Sequence, residues 1–332
     1  METILFANLT ILEKKEIFEK LTDQLKQPAV ATEKDWWVVQ TLRLIFEMDC
    51  ADSLVFKGGT SLSKAWGLIE RFSEDIDLAL DRKFLGFEGE LSNQQIKKLR
   101  KASFKYITEE FYPALKAKFE DAGLSDLEIK IAETTESDQD PRIIEIYYPS
   151  VFDELGYIRP KVIIEVGSRS LREPFSVRSF NSYVGEHFPD TVFADSLINI
   201  PMVNPERTFL EKIFLLHEEF QKPLDKIRTD RLTRHLYDLE KLMDTEFAQK
   251  ALTDSKLYQD IVAHRKLYTS IRGVDYDNHS PQKINPIPPA GIIDKWEKDY
   301  MVMQQNMIYG DSLSFSELIE RVKELKSRLN NL

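Results

Sequence analysis

Apolar positions form short runs before residue 167 and helical stripes after residue 204. The short runs have strand length and are rich in β-branched and aromatic side chains, which favours strands over helices. They predict five strands, at 54–56, 75–80, 127–132, 143–148 and 162–166. Residues 167–205 show no clear periodicity, and we expect them to form a long, partly ordered connection that leads out of the sheet.

Polar residues at helix starts predict two helices ahead of the first strand. Thr10, followed three residues later by Glu13, has the spacing of a capping box, which predicts a helix from about residue 11 to 26. Thr32, followed by Asp35, repeats this signal for the second helix. Val38, Leu42 and Ile45 give the second helix an apolar stripe.

Two further features of the first half of the chain concern helices. Trp36 and Trp37 are interpreted as core anchors of the second helix, with base stacking as the alternative. A long, heavily charged helix is predicted from Ser92 to about Asp121, and Pro113 is the place where it can break.

The second half of the chain has the pattern of a helical domain. Apolar residues recur at helical spacing in two stripes, which are Phe209, Ile213, Leu216 and Phe220, and Leu232, Leu236, Leu239 and Met243. Helices should continue to about Tyr268, and two more are predicted at about 291–308 and 314–331. Ser314 with Glu317 has N-cap spacing for the last one. The pattern therefore predicts an α+β fold, with a sheet-containing domain to about residue 203 followed by a helical C-terminal domain.

Composition narrows the class of protein. The 332 residues carry a net charge of −11, which argues against a surface that coats nucleic acid indiscriminately. Basic clusters at 97–105 and 222–234 are either solvated helix faces or part of a local groove. The single cysteine, Cys50, fits a reducing compartment. Since no apolar run is long enough for a bilayer and the N-terminus lacks a signal peptide, a cytoplasmic location is predicted.

The stretch from 53 to 80 carries the strongest chemical signal. The first strand ends in Gly58-Gly59-Thr60-Ser61, a helical stretch follows, and the next strand opens with Asp75-Ile76-Asp77. Alternate side chains of a strand share a face, so Asp75 and Asp77 should point the same way. Two adjacent carboxylates favour a cation such as Mg²⁺, which also binds substrate phosphates. The glycines leave the backbone bare at the start of a helix, where a phosphate is favoured.

This stretch resembles a known family. A Gly-Gly/Ser turn, a helix and Asp-x-Asp on the next strand form the signature of nucleotidyltransferases related to DNA polymerase β. The closer pattern, Gly-Gly-Thr-x-Leu-x-Lys followed by Arg-Phe-Ser-x-Asp-Ile-Asp-Leu, is similar to the AbiEii/AbiGii toxin family. The gap between Gly59 and Asp75 is longer than is usual in the superfamily and is similar to that of the toxin branch.

The resemblance implies an activity and a domain organisation. It implies a nucleotidyltransferase catalytic domain at 1–203, built on a mixed sheet flanked by helices, and a helical domain at 204–332. Mg²⁺ would be the cofactor and an NTP the substrate. The nucleotide would pass to a hydroxyl group of RNA, at the tRNA 3′ end, with release of pyrophosphate. It further implies a toxin of a toxin–antitoxin or phage-abortive system, paired with a separately encoded antitoxin.

Candidate metal ligands and catalytic residues are Asp75, Asp77 and a third carboxylate. Glu165 lies within an otherwise apolar run, where a carboxylate needs a metal or a cationic partner if it is buried. The alternatives are that Glu165 faces solvent, or that Glu145 is the third carboxylate.

Candidate nucleotide-binding residues surround the glycine turn. We expect Gly58, Gly59, Thr60 and Ser61 to hold the β- and γ-phosphates through backbone N–H groups and a hydroxyl; Thr60 as helix N-cap is the alternative. Arg71 and Ser73 belong to the second part of the motif. Arg71 would bind a phosphate or pair with one of the aspartates, and a plain salt bridge is the alternative for it.

The helical half contributes a second motif. Residues 210–217 and 234–239 resemble downstream motifs of the family, in which a lysine and an aspartate face the active site. Here these are Lys212, expected to bind the triphosphate and to act in catalysis, and Asp238, expected to orient Lys212 or a substrate hydroxyl. An ordinary i, i+4 pair of Asp238 with Arg234 is the alternative. The late stretch from Trp296 to Gly310 is also similar to the family, without an assigned role.

The function predicted from the sequence is nucleotidyl transfer to RNA by a toxin. One alternative is the same chemistry on a protein or a small molecule. The other is a non-catalytic interaction module that keeps the fold. No Walker A string, zinc-spaced Cys/His set or serine-nucleophile elbow is present in the sequence.

Overall fold

A computed structural model describes residues 5–73, 75–152, 158–170 and 172–332. The chain forms two compact units. The sheet unit contains the residues up to Ala65 together with Phe72–Val203, and the helical unit contains Trp66–Arg71 together with Asn204–Leu332. The sequence places residues 1–203 in one domain, whereas in the structure the segment Trp66–Arg71 packs with the helices of the second unit.

The sheet unit is built on a mixed sheet. Its strands are β1 (Leu54–Lys57), β2 (Asp75–Leu80), β3 (Glu128–Ile131), β4 (Arg142–Tyr147), β5 (Lys161–Gly167), β6 (Phe175–Phe180) and β7 (Ile198–Val203). They lie in the order β3-β4-β5-β2-β1-β7-β6. The pairs β2–β5 and β1–β7 are parallel and the other pairs are antiparallel. The five predicted strands are therefore present, within an α+β fold as expected.

The expectation of a partly ordered connection at 167–205 is wrong. Strands β6 and β7 form there and extend the sheet beyond β1. In β7, Ile198, Ile200 and Met202 are buried on alternate positions, a strand pattern that Pro201 disguises in the sequence. β6 is an edge strand whose side chains are mostly exposed, so it carries little apolar signal.

The helices of the sheet unit are α1 (Ile11–Leu25), α2 (Ala29–Ile45), α3 (Gly58–Lys64), α4 (Asn93–Tyr106), α5 (Tyr112–Asp121) and α6 (Tyr183–His187). The capping box of Thr10 and Glu13 is confirmed at the start of α1. The predicted start of the second helix at Thr32 is wrong, because α2 begins directly after Pro28 and Thr32 is buried inside it. Trp36 and Trp37 are core residues, as expected.

The long charged helix is interrupted, as the proline predicts. A five-residue π-helical turn, Ile107–Phe111, joins α4 to α5 just before Pro113. Proline has no N–H group to donate to the carbonyl four residues earlier, so the regular hydrogen-bond ladder cannot pass through this position.

The helical unit contains α7 (Pro205–Phe220), α8 (Thr233–Leu242), α9 (Glu246–Thr253), α10 (Ser255–His264), α11 (Ile293–Asn306) and α12 (Phe315–Asn330). The predicted apolar stripes of α7 and α8 lie in its core, with Phe209, Ile213, Leu216, Leu236 and Leu239 fully buried. The capping box at Ser314 and Glu317 is confirmed. Among the helices in the described part of the chain, none is long and apolar enough to cross a membrane.

Candidate active site

A row of charged side chains crosses three strands on one face of the sheet. Asp77 of β2 lies opposite Lys57 of β1 and opposite Glu165 of β5. Residues directly opposite each other on neighbouring strands share a face, and the strands are about 4.8 Å apart. Lys57, Asp77 and Glu165 are all half-buried, whereas Ile76 and Leu78 point into the core.

Asp75 lies on the same face, one row further along. It is opposite Ile163 of β5, which in turn is opposite Glu145 of β4. Glu145 is therefore two strands away from Asp75, and it binds Lys161 at 2.5 Å and the hydroxyl of Tyr147 at 2.8 Å. The hydrogen bond from Lys161 lowers the pKa of Glu145. Of the two candidates for a third carboxylate, Glu165 is the one directly beside Asp77.

The glycine turn packs against this row. Gly58 has φ +85°, a left-handed conformation that residues other than glycine rarely adopt. A Cβ atom on Gly58 would lie 2.0 Å from Oδ2 of Asp77, so the carboxylate of Asp77 lies directly against the bare α-carbon. The predicted approach of the glycine turn to the aspartate strand is thus present in the structure.

The hydroxyl groups of the turn point into the fold. Ser61 Oγ donates to the carbonyl oxygen of Gly58 at 2.9 Å. Thr60 Oγ1 lies 2.6 Å from the carbonyl oxygen of Asp75 and 3.0 Å from Oγ of Ser73. The alternative of Thr60 as N-cap is wrong, because Lys57 occupies the N-cap position and Thr60 lies inside α3.

In the helical unit, Asp238 of α8 is held by two buried cations. The guanidinium group of Arg71 binds it in bidentate fashion, with Nε at 2.6 Å from Oδ1 and Nη2 at 2.8 Å from Oδ2. Nζ of Lys212, on α7, lies 2.6 Å from Oδ2. The exposed fractions of the three side chains are 2% for Arg71, 7% for Lys212 and 0% for Asp238. The two predicted residues of this unit therefore meet, and Arg71 joins them.

The protonation states follow from burial and charge. Burial alone would raise the pKa of Asp238, but the charges of Arg71 and Lys212 and their hydrogen bonds hold it well below its ordinary value. Burial lowers the pKa of Lys212 and Arg71 lowers it further, whereas Asp238 raises it. Burial, with the charges of Lys212 and Arg234, also lowers the pKa of His235 well below its usual value. At neutral pH this imidazole is uncharged.

Residues near the C-terminus hold the segment that carries Arg71. The backbone N–H groups of Tyr309 and Gly310 donate to the carbonyl oxygen of Glu70 at 3.1 and 3.2 Å, and Ile308 forms an antiparallel β-bridge with Arg71. A Cβ atom on Gly310 would lie 2.1 Å from Oε2 of Glu70, so only glycine fits there without a shift. The local sequence pattern gives this late stretch no role, because its partner lies more than 200 positions earlier in the chain.

Asp299 has a second structural role in the same late stretch. Its carboxylate accepts hydrogen bonds from the backbone of Arg231 at 2.8 Å and of Thr233 at 3.2 Å, and from the hydroxyl of Thr233 at 2.5 Å. Thr233 is the first residue of α8 and Arg231 precedes its N-cap, and backbone N–H groups at the start of a helix have no partner within it. Asp299 thereby caps the helix that carries Asp238.

The donor set on the sheet fits Mg²⁺. In the described residues, no group of three or more His, Cys, Asp or Glu side chains is arranged to hold a metal ion. A pair of carboxylates on one face is enough for Mg²⁺, which binds through one or two carboxylates and fills its other positions with water and phosphate oxygens. Asp75 and Asp77 supply that pair, and Glu165 lies one strand away from Asp77.

Two comparisons with known proteins place the chain in a family. A search of curated proteins found no match. A family model described as nucleotidyl transferase AbiEii toxin, type IV toxin–antitoxin system, matches residues 43–321, which include the glycine turn, both aspartates, Glu165, Lys212 and Asp238. The predicted resemblance is confirmed: the chain belongs to the AbiEii family of nucleotidyl transferase toxins.

Proposed function

We propose that this protein transfers a nucleotide from Mg²⁺-bound NTP to a hydroxyl group of RNA, at the 3′ end of tRNA, and releases pyrophosphate. Membership of the AbiEii family supports nucleotidyl transfer and a toxin role. The cofactor, the nucleotide and the RNA acceptor are our extension of that statement.

One observation carries the proposal. The carboxylate of Asp77 lies against the α-carbon of Gly58, on the face that also bears Asp75 and Glu165. A phosphate chain that follows the bare backbone of Gly58 and Gly59 would therefore meet carboxylate oxygens at once. Two groups of like charge come together in this way only with a cation between them.

The proposed reaction gives a role to each site residue of the sheet unit. The hydroxyl oxygen of the acceptor bonds to the α-phosphorus while the bond from that phosphorus to the bridging oxygen breaks. Pyrophosphate leaves, and the hydroxyl proton passes to a carboxylate of the site. Asp75 and Asp77 would hold Mg²⁺, with Glu165 beside Asp77 as the candidate third ligand, and the ion would supply charge neutralisation and in-line alignment. The Gly58–Ser61 turn would bind the phosphates through its backbone.

Lys212 and Asp238 complete the proposed catalytic set. Arg71 and Lys212 both bind Asp238, so two cations lie close together in a buried environment. Arginine and lysine are common phosphate-binding residues. We assign Lys212 and Arg71 to triphosphate binding, and Asp238 to holding both of them in place.

The cellular role follows the family. We propose that the protein acts in the cytoplasm as the toxin of a toxin–antitoxin pair used in phage defence, opposed by a separately encoded antitoxin. The expected sign of this role is growth arrest on expression of the wild type and normal growth on expression of Asp77→Asn.

The test uses each of the four α-³²P-labelled NTPs with Mg²⁺, total RNA and, separately, RNA-free protein extract. We expect label in tRNA and a loss of about 100-fold or more in rate for Asp77→Asn and Glu165→Gln. Glu145→Gln is the matched control, since it removes a carboxylate on the same face that is two strands from Asp75.

The possible results separate the parts of the proposal. Label in protein instead of RNA would make the acceptor wrong and leave the chemistry intact. A rate loss for Glu145→Gln without one for Glu165→Gln would assign the third carboxylate to Glu145. A wild type that labels neither RNA nor protein with any NTP would overturn the proposal.

A further inference from the structure

A chain of two hydroxyl groups connects the glycine turn to the first residue of the aspartate strand. Thr60 Oγ1, on α3, lies 2.6 Å from the carbonyl oxygen of Asp75 and 3.0 Å from Oγ of Ser73. Thr60 is 4% exposed, so these contacts are shielded from water. A phosphate-binding role, which the sequence suggests for both residues, does not explain these contacts within the protein.

Hydrogen-bond accounting gives the direction of each bond. A hydroxyl group has one proton, and a carbonyl oxygen can only accept. Thr60 Oγ1 is the donor towards both the carbonyl oxygen of Asp75 and Oγ of Ser73, and its one proton favours the shorter contact, to Asp75. The single proton of Thr60 is thus used inside the fold and is not available to a phosphate.

These bonds fix the geometry of the site from both sides. Ser61 closes the turn by donating to the carbonyl oxygen of Gly58, and Thr60 holds the backbone of Asp75 from the neighbouring position of the same helix. The peptide group of Asp75 sets the direction of its own side chain and, through the strand, that of Asp77. A shift of about 1 Å in such groups can cost about 100-fold in rate.

We propose that Thr60 and Ser73 are positioning residues, whose hydroxyl groups hold the start of β2 against the glycine turn so that Asp75 and Asp77 present their carboxylates to one cation. This inference rests on the proposed function for its kinetic readout. It replaces the expectation that these two hydroxyls bind phosphate.

The variants are chosen to keep shape and change one hydroxyl. Thr60→Val is nearly isosteric and removes the donor, Thr60→Ser restores it, and Ser73→Ala removes the second hydroxyl. The matched control is Ser63→Ala, because Ser63 also lies in α3 and its hydroxyl donates to the carbonyl oxygen of Thr60 at 3.2 Å. Melting temperatures of all variants show whether each one is folded.

The first readout is independent of activity. Mn²⁺ replaces Mg²⁺ as a paramagnetic probe, and its binding is measured by electron paramagnetic resonance in the absence of nucleotide. We expect the Kd for Mn²⁺ to rise about tenfold in Thr60→Val, somewhat less in Ser73→Ala, and not in Thr60→Ser or Ser63→Ala.

The second readout separates positioning from phosphate contact. For a positioning role, kcat falls about tenfold or more in Thr60→Val while KM for the NTP stays within about twofold, and Thr60→Ser recovers most of kcat. A rise in KM at unchanged kcat would show that the hydroxyl contacts the nucleotide, and would overturn the inference. Unchanged Mn²⁺ binding in folded Thr60→Val and Ser73→Ala would also overturn it.

Different results would contradict the proposed function and the positioning role of Thr60. Wild-type protein that binds Mn²⁺ but transfers no nucleotide contradicts the proposed function, while the Mn²⁺ comparison still decides the role of Thr60. Active wild type with an equally active Thr60→Val contradicts only the positioning role.

Discussion

At the scale of single residues, the site depends on the missing side chain of Gly58. Its φ of +85° and the contact of its α-carbon with Asp77 are two separate reasons for glycine. Backbone strain from a positive φ applies to any residue in the left-handed region, whereas the contact with Asp77 is specific to Gly58. Alanine variants at two glycines can separate the two effects.

Gly58→Ala is expected to lose nucleotidyl transfer and to destabilise the fold by more than the about 1–2 kcal/mol that left-handed alanine costs. The added methyl group would displace the Asp77 carboxylate, since a Cβ atom at this position would lie 2.0 Å from Oδ2. Gly86→Ala is the control, because Gly86 has φ +80° with nothing within 4 Å of an added Cβ. Chemical denaturation and transfer rates check both variants; equal effects would show that backbone strain alone explains the glycine.

The residue pattern of the site could be anticipated from the sequence in part. The turn, Asp75 and Asp77 are close in sequence and lie on elements with clear patterns. Glu165 is predicted as a carboxylate in an apolar run, but only the register with β2 places it beside Asp77 rather than Glu145. Of the two partners of Asp238, Lys212 is predicted by the sequence, whereas Arg71 is not, because it is 167 positions away in the chain.

At the scale of secondary-structure elements, three segments meet at the buried aspartate of the helical unit. α7 brings Lys212, α8 brings Asp238, and the segment Trp66–Arg71 brings Arg71. Two of them are held separately: Asp299 caps α8, and residues 308–310 hold the segment. Contacts within the protein therefore position two of the three segments that form the cluster.

Asp238→Asn is expected to cost about 3–5 kcal/mol of stability at pH 7, because it leaves two buried cations without their carboxylate. The folded-state pKa of Asp238 is depressed, so its contribution is present above the unfolded-state pKa of about 4 and is lost as the pH falls toward the folded value. Denaturation at several pH values should show the wild type and the variant converging below about pH 4.

Asp244→Asn provides the control for this prediction. Asp244 also pairs with two arginines, Arg321 and Arg328, but its side chain is 58% exposed. Its replacement should cost less than about 1 kcal/mol, since solvent screens exposed ion pairs. A loss as large as that of Asp238→Asn would refute the importance of burial.

Elements with capping residues or regularly spaced apolar residues could be predicted from the sequence. Elements without these features could not. α1, α7 and α12 have capping residues or apolar stripes that match the structure. β7 carries a proline, and β6 is mostly exposed, so neither reads as a strand from local pattern alone. Their pairing with each other, and of β7 with β1, stabilises both.

At the scale of the whole molecule, the net charge of −11 disfavours non-specific binding of RNA. A polyanion is repelled at long range, so the proposed RNA substrate would have to be recognised through local contacts. The basic residues of α4, such as Lys97, Lys98 and Lys101, are exposed while Ile96 and Leu99 on the same helix are buried. This pattern is typical of a solvated helix face.

We expect poly(A) in about tenfold mass excess to lower tRNA labelling by less than about twofold at about 0.15 M salt. Triple replacement of Lys97, Lys98 and Lys101 by glutamine should leave the labelling rate unchanged. Labelling assays with and without the competitor check both statements. Strong competition by poly(A), relieved by the triple variant, would instead make α4 an RNA-binding surface.

The membership of Trp66–Arg71 in the helical unit has a consequence for how this toxin can be taken apart. A fragment ending at Val203 would keep Arg71 but lack the carboxylate that it binds, and the complementary fragment would have Asp238 and Lys212 without the guanidinium group. Neither fragment would contain all three side chains of the Arg71, Lys212 and Asp238 cluster. A single proteolytic cut that lets the halves separate would therefore break the pairing of Arg71 with Asp238, even though it touches none of the carboxylates on the sheet.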